Sequence, residues 1–273
     1  MAPLAEPSFD RARFVASLTT RRLGRSLIAR AEVESTNDVA WDALGAGAAD
    51  GTCVVADVQT RGRGRAGHAW HTAPGHGLAI SVLMHQGCDR RQLGTLPLVA
   101  GLALARGLEM LGARAELKWP NDLLIAGRKV SGILAESRRT VEGTDAAVIG
   151  VGVNVSQSPE DFTQELRALA TSLAMEGCVT SREAVAAAFL NALEPLWAEH
   201  QEGDRRAALE AWKERATFWG RTLRVTGAGR DVTGIARGLD DFGALILERE
   251  TGEKVTVLAG DVEVLTPPTG NLA

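Results

Sequence analysis

Residues 146–155, AAVIGVGVNV, narrow the folds open to this chain more than any other segment. In a strand every second residue points the same way. Val148, Gly150, Gly152 and Asn154 therefore share one face, and Ile149, Val151, Val153 and Val155 the other. A strand ordinarily spends side chains on both faces. Here one face carries two glycines in succession and ends in an amide. Flat backbone of that kind suits a closely packed helix or a compact ligand lying against it, and local sequence leaves both open.

The surrounding pattern supplies the rest of a sheet. Residues 26–34 read as extended. Ser35-Thr36-Asn37-Asp38 then opens a short helix to about Leu44, with Ser35 at the N-cap and Asp38 three residues on, like a capping box. Further strands are expected at 52–58, 77–85, 117–119, 123–125, 130–136 and 147–156, with Ala126-Gly127 as a turn, and Leu93–Leu111 has the apolar spacing of a buried helix. Beyond Pro159 helical patterns run over about 160–175, 182–200 and 204–216. From Trp219 the chain changes to short strands with glycine turns, which predict a small barrel appended to an α+β body. The expected division is a catalytic domain over 1–217 and a small domain over 218–273, with a frayed PPTGNLA tail.

Two further segments carry chemistry. Gln59–Trp70 reads QTRGRGRAGHAW, in which single glycines separate Arg61, Arg63 and Arg65. Guanidinium forks match carboxylate and phosphate oxygens, and glycine lets backbone N–H groups approach an anion. With little to bury, the segment is expected to close over a ligand; a solvated basic loop is the plain alternative. Trp70 at its end either stacks on a base or anchors the core. Residues 118–136, KWPNDLLIAGRKVSGILAE, bring Lys118, Asn121, Asp122, Lys129 and Gly132 close together in sequence. Asn-Asp after Pro is also ordinary turn chemistry, and a lysine after a turn is commonly solvated. Ser35 and Thr36 either cap their helix or bond the polar atoms of a neutral ligand.

Bulk composition removes several classes. Thirty basic against 34 acidic residues give a net charge of −4. No polyanionic partner is called for, and neither a nucleic-acid module nor a membrane protein is expected. The three cysteines are widely spaced with no CxxC pair, which argues against a disulfide framework or a zinc site and points to a reducing, cytoplasmic setting. No secretory h-region and no membrane-length apolar run is seen.

The ordered set STND, QTRGRGRAGHAW, KWPNDLLIAGRKVSGILAE and VIGVGVNV closely resembles the biotin protein ligases, biotin–[acetyl-CoA-carboxylase] ligases, over roughly residues 25–265. The resemblance implies a mixed β-sheet flanked by helices, like class II aminoacyl-tRNA synthetases, with a small C-terminal SH3-like β-barrel. It implies that biotin and ATP, with Mg²⁺ accompanying the nucleotide and no fixed metal site, give biotinyl-5′-AMP. The biotinyl group then passes to one lysine of a biotin carboxyl carrier protein or domain. Arg65, Lys129 and Asp122 become the catalytic candidates, Asp122 as an orienting group. Ser35, Thr36, Asn37, Gln59, Gly62, Arg63, Lys129, Gly132 and Gly150 would bind biotin, and Arg63, Arg65, Trp70, Lys118, Asn121, Lys129 and Asn154 the adenylate. Gly67-His68 departs from the repeated Gly-Arg of the family and puts one loop contact in doubt. Bifunctional members carry an N-terminal DNA-binding domain. The 34 residues before Ser35 are too few for it, so a ligase without repressor function is expected. A homodimer is compatible with the resemblance. A lipoate or octanoate ligase or transferase of the same fold is the alternative enzyme, but a linear acyl chain calls for a long apolar tunnel. A nucleic-acid module would need the basic surface that the composition lacks.

Overall fold

The computed structural model describes residues 6–88, 94–227 and 231–265. Leu93, where the long apolar helix was expected to begin, and the C-terminal tail lie outside the described residues. The body is a seven-stranded sheet in the order β1-β2-β3-β7-β6-β5-β4. Its strands are β1 (Leu27–Val33), β2 (Cys53–Gln59), β3 (Gly77–Met84), β4 (Glu116–Lys118), β5 (Asp122–Ile125), β6 (Arg128–Arg139) and β7 (Asp145–Asn154). β1 and β2 pair parallel; every other neighbouring pair is antiparallel.

Helices clothe the two faces unequally. α3 (Leu96–Met110) and α4 (Arg182–Gln201) cover one face, and α1 (Arg11–Ser17) packs on α4. Ile149, Val151 and Val153 of β7, with Val155 just beyond it, join that large core, as their alternation requires. Gly107 lets α3 and α4 approach closely, since a Cβ there would sit 2.8 Å from Ala188 O. Phe189, fully buried at that contact, holds the layer together; truncation to Ala is expected to cost ~3–5 kcal/mol. On the opposite face α2 (Thr36–Gly45) covers one end only, burying Ala40 and Trp41 against Val54, Leu83, Ala146 and Val148. The sheet beyond α2 is where the glycines lie.

The five C-terminal strands, β8 (Thr222–Thr226), β9 (Val232–Leu239), β10 (Leu245–Glu248), β11 (Lys254–Val257) and β12 (Asp261–Val264), form an antiparallel sheet in the order β11-β10-β9-β8-β12. It is seated on the body through α5 (Arg206–Lys213). Trp119 Nε1 also donates to Gly243 O at 2.9 Å.

Two expectations from sequence need correction. Residues 160–175 hold only a short 3-10 turn, Pro159–Asp161, followed by irregular turns rather than a helix. Their backbone is used elsewhere: Lys129 N donates to Leu169 O, Thr171 N to Lys129 O, Leu173 N to Asn154 O and Ala174 N to Val155 O. Tertiary pairing has overridden helix propensity. Conversely, α1 forms where no helix was expected, capped by the Asp10 side chain accepting from Arg13 N.

Candidate active site

Gly150 and Gly152, on the bare face of β7, become the floor of a cavity and meet different neighbours. At Gly150 a Cβ would lie 2.3 Å from Asn37 Oδ1, so α2 does approach closely. At Gly152 it would lie 2.2 Å from Trp70 Cε2, and at Gly132 on neighbouring β6 it would lie 3.2 Å from Trp70 Cζ3. Gly132 and Gly152 are register partners, so together they make a flat step on which the indole rests.

The N-terminus of α2 closes one end. Ser35 occupies the N-cap position, but its side chain makes no capping bond, and Asp38 turns away to Arg63. The capping-box expectation fails for that reason, and the Ser35 hydroxyl lines the cavity instead. Thr36 donates from N and from Oγ1 to Gln59 Oε1 at 2.8 and 3.0 Å. Ser81 Oγ lies 2.7 Å from Thr36 Oγ1 and 2.6 Å from Asn37 Oδ1. Ser35, Thr36, Asn37 and Ser81 are all buried, so this dead end is a polar network in low dielectric whose geometry is fixed by its own bonds.

The arginine segment folds as a small hairpin over the other side. Trp70 N donates to Gly62 O, Gly64 N to His68 O and His68 N to Arg65 O. Ala66 and Gly67, both at positive φ, make the tip. The hairpin's two cations differ. Arg63 meets Asp38 with two hydrogen bonds of 2.7 Å and Glu136 Oε1 at 3.3 Å, and the bond to Asp38 raises its already high pKa. Arg65 reaches into the cavity, where its one side-chain hydrogen bond among the described residues is a 3.4 Å contact to Asn121 Oδ1. Burial lowers its pKa, while Asp261 and Asp122 favour the charge. Arg65 is thus a half-buried guanidinium that an incoming anion can claim.

Lys129 stands opposite. The hairpin turn at Ala126-Gly127, both residues at positive φ, leads into β6, and Lys129 Nζ comes 2.7 Å from Asp122 Oδ1 and 5.9 Å from the Trp70 ring centre. Asn121 is fixed by donating from Nδ2 to Ile133 O at 2.8 Å. Asp261 of β12 lines the mouth and lies 3.7 Å from His68, so the small C-terminal sheet completes the wall. The free space is about 120 Å³, less than the ~300–1,000 Å³ typical of ligand pockets, because Trp70 and Arg65 lie across it.

Of the residues expected from sequence, Ser35, Thr36, Asn37, Gln59, Arg63, Arg65, Trp70, Asn121, Asp122, Lys129, Gly132 and Gly150 line this one cavity. Three do not. Gly62 lies beneath Trp70, where a Cβ would meet Trp70 O at 2.3 Å. Lys118 faces its register partner Asp122 on the β4–β5 ladder, outside the lining. Asn154 is buried, with Nδ2 donating to Thr171 O and Oδ1 accepting from Gln157 Nε2. Sequence reasoning missed Ser81, Glu136 and Asp261. Ser81 was visible as the lone polar residue of GLAISVLM, and Glu136 as two steps of strand alternation beyond Gly132. Nothing local marks Asp261, whose place depends on how the two sheets dock.

Comparison with known proteins gives this arrangement a class and then a family. A family described as the Biotin/lipoate A/B protein ligase family matches residues 29–154, and one described as the Biotin protein ligase C terminal domain matches 218–265. The biotin–[acetyl-CoA-carboxylase] ligase of Mycobacterium tuberculosis is 35% identical over 246 residues, covering 87% of this chain and 88% of that protein. Its counterpart in Paracoccus denitrificans is 34% identical, covering 82% of this chain and 95% of that protein. The structure of a biotin protein ligase from Aquifex aeolicus in complex with biotin and ATP superposes with a TM-score of 0.75. It is 28% identical, covering 89% of this chain and all of that one. The chain belongs to the biotin protein ligase family.

Proposed function

We propose that this chain activates biotin with ATP and transfers it to a lysine of a biotin carboxyl carrier protein. A biotin carboxylate oxygen attacks the α-phosphorus, the bond to pyrophosphate breaks, and biotinyl-5′-AMP remains. The carrier's amine, having lost a proton, then attacks the acyl carbon and AMP departs. The observation that carries this reading is one polar dead end, at Ser35, Thr36, Asn37 and Gln59, joined by a glycine shelf to two cations, Arg65 and Lys129. A compact head rich in hydrogen-bonding atoms fits the first part. The second part fits the point where a carboxylate and a triphosphate must meet.

Bringing two anions together is electrostatically uphill, and fixed cations in a half-dry site offset that repulsion and stabilise charge at phosphorus as oxygen attacks. Arg65 and Lys129 take that role, with Trp70 and Asn121 toward the nucleotide. Lys118 and Asn154, outside the cavity lining, receive no contact in this reading. Ligand entry requires Trp70 and the hairpin tip to shift from the shelf, and their return excludes water from the anhydride. No group of three His, Cys, Asp or Glu side chains able to hold a metal ion comes together among the described residues. A Mg²⁺ arriving with ATP would be carried mainly by phosphate oxygens, beside the Asp122 and Asp261 carboxylates.

A lipoate ligase would need an apolar tunnel where the α2 end instead presents hydroxyls and amides. The deciding experiment incubates the protein with ATP and either biotin or lipoate and identifies the acyl-adenylate by mass spectrometry. Biotinyl-AMP is expected; lipoyl-AMP without biotinyl-AMP would overturn the assignment.

A further inference from the structure

Glu136 ends the same-face run Gly132, Leu134, Glu136 on β6, and its two oxygens serve different parts of the site. Oε2 accepts from Asn37 Nδ2 at 3.0 Å and from Trp41 Nε1 at 3.1 Å. Oε1 accepts from Arg63 Nη2 at 3.3 Å. On the first side, Asn37 lies over Gly150 at the closed end of the cavity. With its NH₂ committed to a carboxylate, its Oδ1 has to face Ser81, which donates to it at 2.6 Å. The reversed amide would set oxygen against carboxylate. Ser81 in turn meets Thr36, and Thr36 meets Gln59, so one carboxylate orients a chain of side chains that ends in the pocket.

On the second side, Arg63 belongs to the hairpin stem, where Arg63 and Ala69 form a bridge. Asp38 already takes both ends of its guanidinium fork, and Glu136 adds a second carboxylate. Its charge is balanced by the protein, so Arg63 anchors the hairpin instead of meeting a further anion. At the tip beyond it, the Arg65 guanidinium makes one hydrogen bond among the described residues, the 3.4 Å contact to Asn121 Oδ1.

We propose that Glu136 is a positioning residue that couples the biotin pocket to the arginine hairpin. One oxygen sets the Asn37 amide and the other steadies the Arg63 stem, so capture of biotin and retention of the adenylate depend on the same side chain. This rests on the ligase reading above and adds to it a link between binding and closure.

Glu136→Gln keeps the shape but weakens both sides, since its amide nitrogen faces a donor on one and its neutral oxygen accepts less strongly than a carboxylate on the other. The expected result is a biotin KM raised about tenfold, with biotinyl-AMP escaping into solution faster by a similar factor. The ATP KM and the single-turnover rate at saturating biotin stay within about twofold. Trp41→Phe is the companion variant: it removes the third donor to the same carboxylate while keeping a ring against α2. It is expected to leave both biotin KM and adenylate escape near wild type. The coupling is overturned if Glu136→Gln changes only one of the two quantities or neither. It is equally overturned if Trp41→Phe reproduces both changes, because Glu136 would then act through the packing of α2. Failure of the ligase reading is separate and visible in the wild-type protein, which would make no biotinyl-AMP at all. Should Glu136→Gln fold poorly, Glu136→Asp reports the same two quantities, since the shorter side chain draws its carboxylate back from both partners. Both are then expected to worsen together, and a change in one alone overturns the coupling.

Discussion

Lys129 Nζ lies 2.7 Å from Asp122 Oδ1 where the β5–β6 hairpin opens onto the glycine shelf. In the proposed reaction the carboxylate holds the ammonium in place until a phosphate oxygen competes for it. A cation that matters most as charge develops at phosphorus contributes to the transition state more than to biotin binding. Lys129→Ala is therefore expected to slow adenylate formation about 10²–10³-fold while biotin affinity changes little. Single-turnover formation of biotinyl-AMP and calorimetric biotin titration measure the two; an unchanged rate would remove Lys129 from the chemistry.

Arg65 differs from Arg63 in having no carboxylate within hydrogen-bonding reach among the described residues. Its loss should harm closure over the adenylate more than the fold. Arg65→Gly is expected to release biotinyl-AMP, seen as biotin attached to arbitrary proteins mixed with the enzyme. Retention equal to wild type would refute the closing role of the hairpin tip.

The fold was readable where one periodicity governed. β7 obeyed alternation, Ile149, Val151 and Val153 entering the large core and Gly150 and Gly152 facing the cavity, because a one-residue slip would exchange those two faces. Residues 160–175 were misread because Leu and Ala content favours helix, while the decisive bonds to Lys129 and Asn154 come from strands far away in sequence. The site divided in the same way. Residues sharing a motif, such as Asn121, Lys129 and Gly132, were found together. Asn154 lies outside the cavity lining, its amide bonded to Thr171 and Gln157, which only the folded chain brings near. Arg63 lines the cavity as expected, but its residue type gave no sign of its partners Asp38 and Glu136, which α2 and β6 supply.

The Arg63–Asp38 pair predicts a pH dependence. Hydrogen bonding from Arg63 lowers the Asp38 pKa below the ordinary 3.8. A carboxylate depressed on folding adds stability that is fully present above the unfolded value and is lost as pH falls through the lowered one. Both side chains are about 40% exposed, so the contribution is no more than about 1 kcal/mol. Melting temperatures of wild type and Asp38→Asn are expected to differ by a constant amount above pH 3.8 and to converge as pH falls below it. A difference that instead grew in acid would show that the pair does not stabilise the folded hairpin.

Gly150 and Gly152 sit two residues apart on one strand, yet a methyl group at each would strike a different partner. At Gly150 it would collide with Asn37 Oδ1 at 2.3 Å, and at Gly152 with the Trp70 indole at 2.2 Å. Neither glycine has positive φ, so alanine suits the backbone and the effect is confined to the displaced side chain. Displacing Asn37 disturbs the polar end, whereas displacing Trp70 disturbs the nucleotide side. Overpacking of this kind costs ~1–3 kcal/mol, or roughly tenfold in apparent affinity. Gly150→Ala is accordingly expected to raise the biotin KM with a smaller change for ATP, and Gly152→Ala to do the reverse. If both substitutions raised the same KM by similar factors, the shelf would not be divided between the two substrates.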